Sequence, residues 1–380
     1  MRRGSRISKT HAPDYGLITT VMLLIVIGLV MLSSASAAIS YDKFGTNNYY
    51  LLQQLGPLGI GLVLMFLVAR MDYHKLSRLA VPLLYLTLGL LVVVFIPGIG
   101  FGYGGAQRWI SWGPIFLQPS EIAKITFLIY LATWLDKRGK GVEDFKYGLL
   151  PFLTLLGVIG ILIMMQPDLG TMFIIAISSI IVYFIAGAQI GHLVLIGIGS
   201  LGLFGILIKI APYRLARFTT YLHPELDPQG IGYQINQALL AVGSGGILGL
   251  GLGKSRQKFN YLPEATGDSI FAIIAEELGF IRTTVLVLLF LFLAYKGFKI
   301  AKEAPDMFGK LLAVGITSWL SFQAIINIAA IINLLPLTGI PLPFISYGGS
   351  ALVISMIGVG ILISISRYTK ASNQTSWRRS

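Results

Sequence analysis

The sequence predicts an all-α polytopic membrane protein, a bundle of ten transmembrane helices with one large structured extracytoplasmic loop. Three observations lead there. The chain of 380 residues is 55% hydrophobic and 12% charged, with a mean hydropathy of +0.78; soluble domains carry about twice that charge fraction. Ten apolar runs approach or exceed the roughly 20 residues that a helix needs to cross hydrocarbon. Lys and Arg are unevenly shared between alternate loops, as the positive-inside rule requires of a membrane protein.

The runs are 16–38, 50–69, 78–97, 119–135, 147–165, 169–187, 190–211, 269–295, 308–334 and 346–366. The fourth is short and contains Glu121 and Lys124, so it must face protein or a cavity. The first ends in Ala35-Ser36-Ala37, which resembles a signal-peptidase site; the length of the run and the spans that follow argue against cleavage. Ten spans put both termini on one side. That side receives Arg2, Arg3, Arg6 and Lys9, then Arg70, Lys75 and Arg78, then Lys137, Arg138, Lys140 and Lys146. It also receives Lys296, Lys299, Lys302 and Lys310, and finally Arg367, Lys370, Arg378 and Arg379. The opposite short loops hold little beyond Lys43 and Arg108. Both termini are therefore expected in the cytoplasm, as tails 1–15 and 367–380 flanking a membrane domain 16–366. The long loop 212–268 then lies outside, and long loops in compact folds are usually functional. Within it, residues 232–243 read as a short amphipathic helix lying on the membrane surface.

Composition also excludes. Cys is absent, which removes disulfides, thiol catalysis and thiolate metal sites. The four His (His11, His74, His192, His223) are too scattered for a metal cluster. A net charge of +13 in such a chain reflects cytoplasmic loops and anionic lipid, and nothing suggests nucleic-acid binding. The stretch GSGGILGLGLGKS touches on a phosphate-binding P-loop, but Leu248 stands where that pattern needs Gly, and no strand precedes it.

The chain is organised around Arg256–Gly279, RQKFNYLPEATGDSIFAIIAEELG. Asp268 sits where a polar loop gives way to an apolar run. A carboxylate there, partly desolvated, gains proton affinity and becomes a candidate general base. Asp is equally favoured as the cap of a helix start, and the two roles are compatible. Glu276 and Glu277 lie about 12 Å further along the helix; acids that deep need a partner, and Arg282 is one local choice. Glu121 and Lys124 are three apart on one helix face, a structural ion pair or part of a site. Arg108, in GGAQRWISWGPIFLQPSE, suits a phosphate through its fork of donors, or else snorkels beside Trp109 and Trp112. Asp168, in MQPDLGT, caps a helix or faces the same cavity as Arg108 and Asp268. PLPFISYGGS (341–350) reads as irregular backbone re-entering the last span, tolerated only against protein or a cavity.

Together these stretches resemble the SEDS family (shape, elongation, division, sporulation), the bacterial peptidoglycan polymerases that include RodA and FtsW. The resemblance runs from Asp14-Tyr15 to the tenth span, through SSAS, GAQRWISWGPIFLQPSEIAK, QPDLGT, YQINQALLAVGSGGILGLGLGKSRQKFNYLPEATGDSIFAIIAEELG and PLPFISYGGS. The GSGG, GLGLG and PEATGDSIF details are closer to the FtsW branch. Many relatives read HTDFIF where this chain reads TGDSIF, so no His–Asp relay is invoked. The resemblance implies Asp268 as the essential outer-face carboxylate and Arg108, Glu121, Lys124 and Asp168 as cavity-lining charged residues. It implies lipid II as substrate and a single-pass class B penicillin-binding protein, a transpeptidase, as partner. The reaction is then glycosyl transfer on the outer face of the cytoplasmic membrane, in cell-wall growth or division. Cations must steady the departing pyrophosphate; Arg108 and Lys124 come first, then Lys254, Arg256 and Lys258. No dedicated metal cage is seen, but a divalent cation (Mg or Mn) bridging pyrophosphate and a carboxylate is compatible with this chemistry. The rival expectations are a lipid II flippase and a non-catalytic divisome scaffold.

Overall fold

The computed structural model describes residues 11–103, 106–113, 115–210 and 212–369. The terminal basic residues Arg2, Arg3, Arg6, Lys9, Lys370, Arg378 and Arg379 lie outside the described residues. Each predicted apolar run falls on a helix, and local chemistry sets many of the ends. Helix α1 (Tyr15–Phe44) begins after Asp14, whose Oδ1 accepts the Leu17 amide at 3.0 Å, and stops at Gly45, in the left-handed region at φ 70°. It runs past the expected end at 38, so Ala35 and Ser36 lie fully buried inside a continuous helix. There follow α2 (Tyr49–Arg70), α3 (His74–Val93), α4 (Pro119–Arg138), α5 (Leu150–Met165), α6 (Leu169–Ile185) and α7 (Ile190–Ile210). The expected outer loop contains α8 (Pro212–Leu222) and α9 (Ile231–Ser244). The chain closes with α10 (Ile270–Glu303), α11 (Met307–Ile331) and α12 (Gly349–Ser366).

Among the described residues, seven helices are long and apolar enough to cross a membrane: α1, α2, α3, α5 with its π-helical lead-in from Phe145, α10, α11 and α12. Helix α6 and the Ile190–Leu203 part of α7 are shorter apolar helices, and α4 carries Glu121 and Lys124. The fold is also not purely helical. A three-stranded antiparallel sheet, β1 (Gly100–Tyr103), β2 (Ala106–Trp112) and β3 (Ile115–Leu117), fills the stretch before α4 in the order β1-β2-β3. Trp109, Ile110 and Phe116 favour a pleated half-buried surface, and Gly113, at φ 59°, makes the second turn. Ile110 pairs with both Gly100 and Leu117, so β2 is the central strand that carries Arg108.

Helix α9 confirms an amphipathic segment but not one lying free on a membrane surface. Its apolar side, Ile235, Ala238 and Ala241, is buried, and it packs on α10. Helix α10 is broken where an unbroken span was expected. Gly279 adopts φ 75°, ψ 177°, outside the helical region. The break strands the carbonyls of Glu276 and Glu277 and the amides of Phe280 and Ile281, and the glycine-rich segment captures them. Leu250 and Gly251 donate to Glu276 and Glu277 at 3.0 Å each; Phe280 and Ile281 donate to Gly246 and Ile247 at 2.9 and 3.2 Å. The backbones approach so closely that a Cβ on Gly279 would lie 2.1 Å from the Gly249 nitrogen. GSGGILGLG is therefore a plug that satisfies a helix break, which is a physical reason for its glycines.

Helix α11 is the hub. It packs against α4, α6, α10 and α12, and is buried on nearly every side, as a helix apolar all round should be. Its Trp319 is fully buried. The 332–348 segment that follows is irregular and largely buried, as expected. Ser346 Oγ accepts the Leu342 amide at 2.8 Å, and the Gln54 side chain bonds the Ser346 carbonyl and the Gly348 amide at 3.4 and 3.2 Å. Those bonds, made with protein, are what permit non-helical backbone there.

Candidate active site

The corner Thr266–Ser269 is held from three directions. Tyr347 donates its amide to the Thr266 carbonyl at 2.9 Å, Asn327 Nδ2 donates to the Asp268 carbonyl at 2.8 Å, and Gln234 Nε2 of α9 reaches Ser269 Oγ at 3.0 Å. The corner has no side-chain cap: Ser269 occupies the N-cap position without a capping bond, so Asp268 does not take the cap role open to it. The Asp268 carboxylate accepts from Ser269 Oγ at a long 3.4 Å. Its Oδ2 faces Gly339, which turns at φ 70° and whose Cβ, were one added, would lie 3.8 Å away. Asp268 is partly buried, and burial pushes its carboxyl up to about 7 from an ordinary 3.8. The charge of Glu264 adds to that rise; Ser269 and the positive charge of Arg217 oppose it.

Asp168 is the opposite case. Its Oδ1 accepts the Thr171 amide at 3.1 Å and so caps α6, while Oδ2 accepts Ser120 Oγ at 3.0 Å and Gln118 Nε2 at 3.4 Å. Arg108 clasps the same turn from β2: Nε donates to the Gln166 carbonyl at 3.1 Å, and Nη2 to the Pro167 carbonyl. Two residues beyond Asp168, Gly170 is pressed against the 338–340 segment, since a Cβ there would sit 3.0 Å from the Thr338 oxygen. The 338–341 segment thus lies between the Asp168 turn and the Asp268 corner. Arg108 joins this arrangement through its bonds to the Asp168 turn.

Glu121 and Lys124 form the expected ion pair, Oε1 to Nζ 2.8 Å, with both side chains 2% exposed. Lys124 Nζ also donates to Gln323 Oε1 at 2.8 Å and lies 5.1 Å from the Trp319 ring centre. Glu121 Oε2 has no partner among the described residues. Lys124 is therefore neutralised within the bundle. The same holds for Lys258, which is buried and pairs with Glu277 at 3.0 Å, with Ser34 Oγ beside both. Glu276 accepts the Arg256 amide at 2.9 Å and the Ser255 hydroxyl. The partners of the two deep acids come from the loop 255–258, not from Arg282, which donates to the Leu248 carbonyl at 3.1 Å. The break at Gly279 explains the difference, because it turns the chain away between the acids and Arg282. Lys254 and Arg256 are exposed. Lys258 borders an open cavity of 820 Å³ between α1 and the 252–260 loop. Among the described residues no three His, Asp or Glu side chains gather as a metal site.

The family model of the FtsW, RodA and SpoVE cell cycle proteins matches residues 15–371. The chain belongs to this family. Among FtsW/RodA/SpoVE relatives, it is 44% identical over 363 residues to stage V sporulation protein E of Bacillus subtilis, covering 96% of this chain and 99% of that one. It is 39% identical over 372 residues to a probable peptidoglycan glycosyltransferase FtsW of Geobacter sulfurreducens, covering 98% and 100%. Among solved structures it resembles a chain of a peptidoglycan synthase complex that coordinates polymerization and crosslinking, with a TM-score of 0.78, 28% identity and 95% and 99% coverage. The rod shape determining protein RodA of Thermus thermophilus gives a TM-score of 0.69 at 28% identity, over 94% and 99%. The curated relatives given above carry the names stage V sporulation protein E and FtsW.

Sequence reasoning had not singled out several residues that frame the site of this family member: Gln323, Asn327, Glu264 and the 338–340 segment. Gln323 and Asn327 were detectable, as amides four apart in an otherwise apolar span. The others are brought together by the fold alone.

Proposed function

We propose that the chain is a peptidoglycan glycosyltransferase that polymerises lipid II into glycan strands on the outer face of the cytoplasmic membrane. The ten helices corresponding to the apolar runs all cross, both termini are cytoplasmic, and the 212–268 loop with Asp268 is outside. The observation that carries the reading is Asp268 itself: a carboxylate uncommitted to capping, beside an irregular segment, with a proton affinity near neutrality. The names of the FtsW relatives and the synthase complex support it.

A sugar hydroxyl is a poor nucleophile, and the reaction needs its proton removed as the new glycosidic bond forms. The ionised Asp268 accepts that proton while the hydroxyl oxygen attacks the anomeric carbon of the second lipid-linked sugar. The bond to undecaprenyl pyrophosphate breaks and the pyrophosphate leaves as an anion. A base with an affinity near the working pH is both available and strong enough. The leaving charge falls to cations not already neutralised. Lys124 and Lys258 are held in buried pairs, so exposed Lys254 and Arg256 are better placed, with Arg108, which spends two of its five donors on carbonyls. A class B penicillin-binding protein is the partner. Among the described residues no three His, Asp or Glu side chains gather as a metal cage, so a divalent cation here would be held chiefly by the substrate pyrophosphate.

The experiment is lipid II polymerisation by the purified full chain with a transpeptidase-dead partner, for the wild type and Asp268→Asn. Product from the first and none from the second supports the proposal. Product from both rejects Asp268 as base, and product from neither leaves the scaffold and flippase readings standing.

A further inference from the structure

Helix α11 carries two amides, Gln323 and Asn327, four residues apart and so one above the other on a single face. They are 0% and 2% exposed. A buried amide is costly unless it is bonded, so its partners indicate what it holds. Asn327 Nδ2 donates to the Asp268 carbonyl and to the Ile340 carbonyl, both at 2.8 Å. Gln323 Nε2 donates to the Pro341 carbonyl at 2.9 Å, while its Oε1 accepts Lys124 Nζ and Trp319 Nε1, each at 2.8 Å. The carbonyls being held belong to the corner before α10 and to the irregular 338–341 segment. The orientation of Asn327 follows from the same contacts. Reversing the amide would set its oxygen against two carbonyl oxygens, and in the observed sense Oδ1 is left without a partner among the described residues.

We propose that Asn327 and Gln323 are positioning residues for Asp268. They lock the main chain of the corner to the 338–341 segment and pass that anchorage to the Lys124–Glu121 pair. This gives the buried pair a role in the site without contact with substrate: Lys124 fixes the Gln323 oxygen, which leaves Nε2 aimed at Pro341. The inference rests on Asp268 being the base.

The function of Asn327 is donation, not bulk, and two substitutions separate the two. Asn327→Asp keeps the shape but, ionised, offers only acceptors to two carbonyls. Asn327→Ala removes the side chain. The groups facing the Asp268 carboxylate are Glu264, Arg217 and Ser269, and none is altered. The assay is single-turnover lipid II polymerisation by the full chain with its transpeptidase-dead partner, at pH values on both sides of neutrality, with rates scaled to folded protein. Asn327→Ala should lower the plateau about tenfold or more, since misplacing a reacting group is costly. It should also move the acid-limb midpoint below the wild-type value, because a loosened corner admits water. Asn327→Asp should lose as much rate, because it offers at most one donor to two carbonyls, and should lose more as rising pH ionises the new carboxyl. Gln323→Leu should follow Asn327→Ala with a smaller loss. Asn327→Asp at wild-type rate, or lower plateaus with no variant moving the midpoint, overturns the proposal, since a merely structural residue rescales the profile without shifting it. If Asn327→Ala does not fold, Asn327→Asp and Gln323→Leu decide. Asp268→Asn is run in parallel. Activity there removes the base reading itself, whereas its inactivity combined with unmoved midpoints removes the positioning role alone.

Discussion

Asp168 and Asp268 each stand at the start of an apolar helix, each follows polar residues, and both border the same 338–341 segment. Asp168 accepts a helix amide, a serine hydroxyl and a glutamine amide. Asp268 accepts a serine hydroxyl at 3.4 Å and its own backbone amide, and is crowded by Glu264. The oxygens of Asp168 are committed to those donors, whereas a carboxylate that is partly desolvated and under-bonded takes a proton readily. Under the proposed function, the difference puts chemistry on Asp268 and leaves Asp168 to hold its turn, although their local sequences look alike.

The comparison breaks most visibly at Asp268. Asp268→Asn should reduce polymerisation by at least about 10²–10³-fold, the usual contribution of a general base, with expression and partner binding intact. The same change should stabilise the chain at neutral pH. A carboxyl raised from 3.8 to about 7 binds its proton more tightly folded than unfolded, so stability falls as pH rises between those values. The penalty removed is up to about 4 kcal/mol, at roughly 1.4 kcal/mol per pH unit. A thermal melt of Asp268→Asn lower than that of wild type at pH 8 would contradict the reading.

The ion pair beneath the site comes next. Glu121→Ala or Lys124→Ala should each cost about 3–5 kcal/mol by leaving one buried charge uncompensated. A double-mutant cycle on unfolding should return a large coupling, and additivity would refute the pair. Asp168 sharpens the comparison from the weak side. Asp168→Asn retains a capping oxygen and should keep stability and rate within about threefold, while Asp168→Ala should cost about 1 kcal/mol. A loss with Asp168→Asn as severe as with Asp268→Asn would place both acids in the chemistry.

Hydropathy and helical period revealed the helices, because a span must be apolar along its length. The Glu121–Lys124 pair was legible for a related reason: its partners are three residues apart on one helix, and i,i+3 spacing is local information. Lys258 with Glu277 was not, since their meeting depends on the break at Gly279 and on the plug 246–251 that satisfies it. An unbroken α10 would have put Arg282 within reach instead. The sheet at 100–117 escaped notice because its strands are short and interrupted by glycines. Asp268 was visible as a residue but not as a state. Whether it capped the helix depended on Ser269 taking the N-cap position, and its surroundings depended on a turn that brings back Glu264, four residues upstream, and on Arg217 and Gly339 arriving from distant parts of the chain.

Because a base must change protonation state near the working pH, an infrared difference titration of the full chain, wild type minus Asp268→Asn, tests Asp268 most directly. The wild type should carry a protonated carboxyl band, absent from the variant, that converts to carboxylate with a midpoint near pH 7. A band already converted near pH 4, with no change around neutrality, would show that Asp268 is an ordinary carboxylate and would remove its role as base.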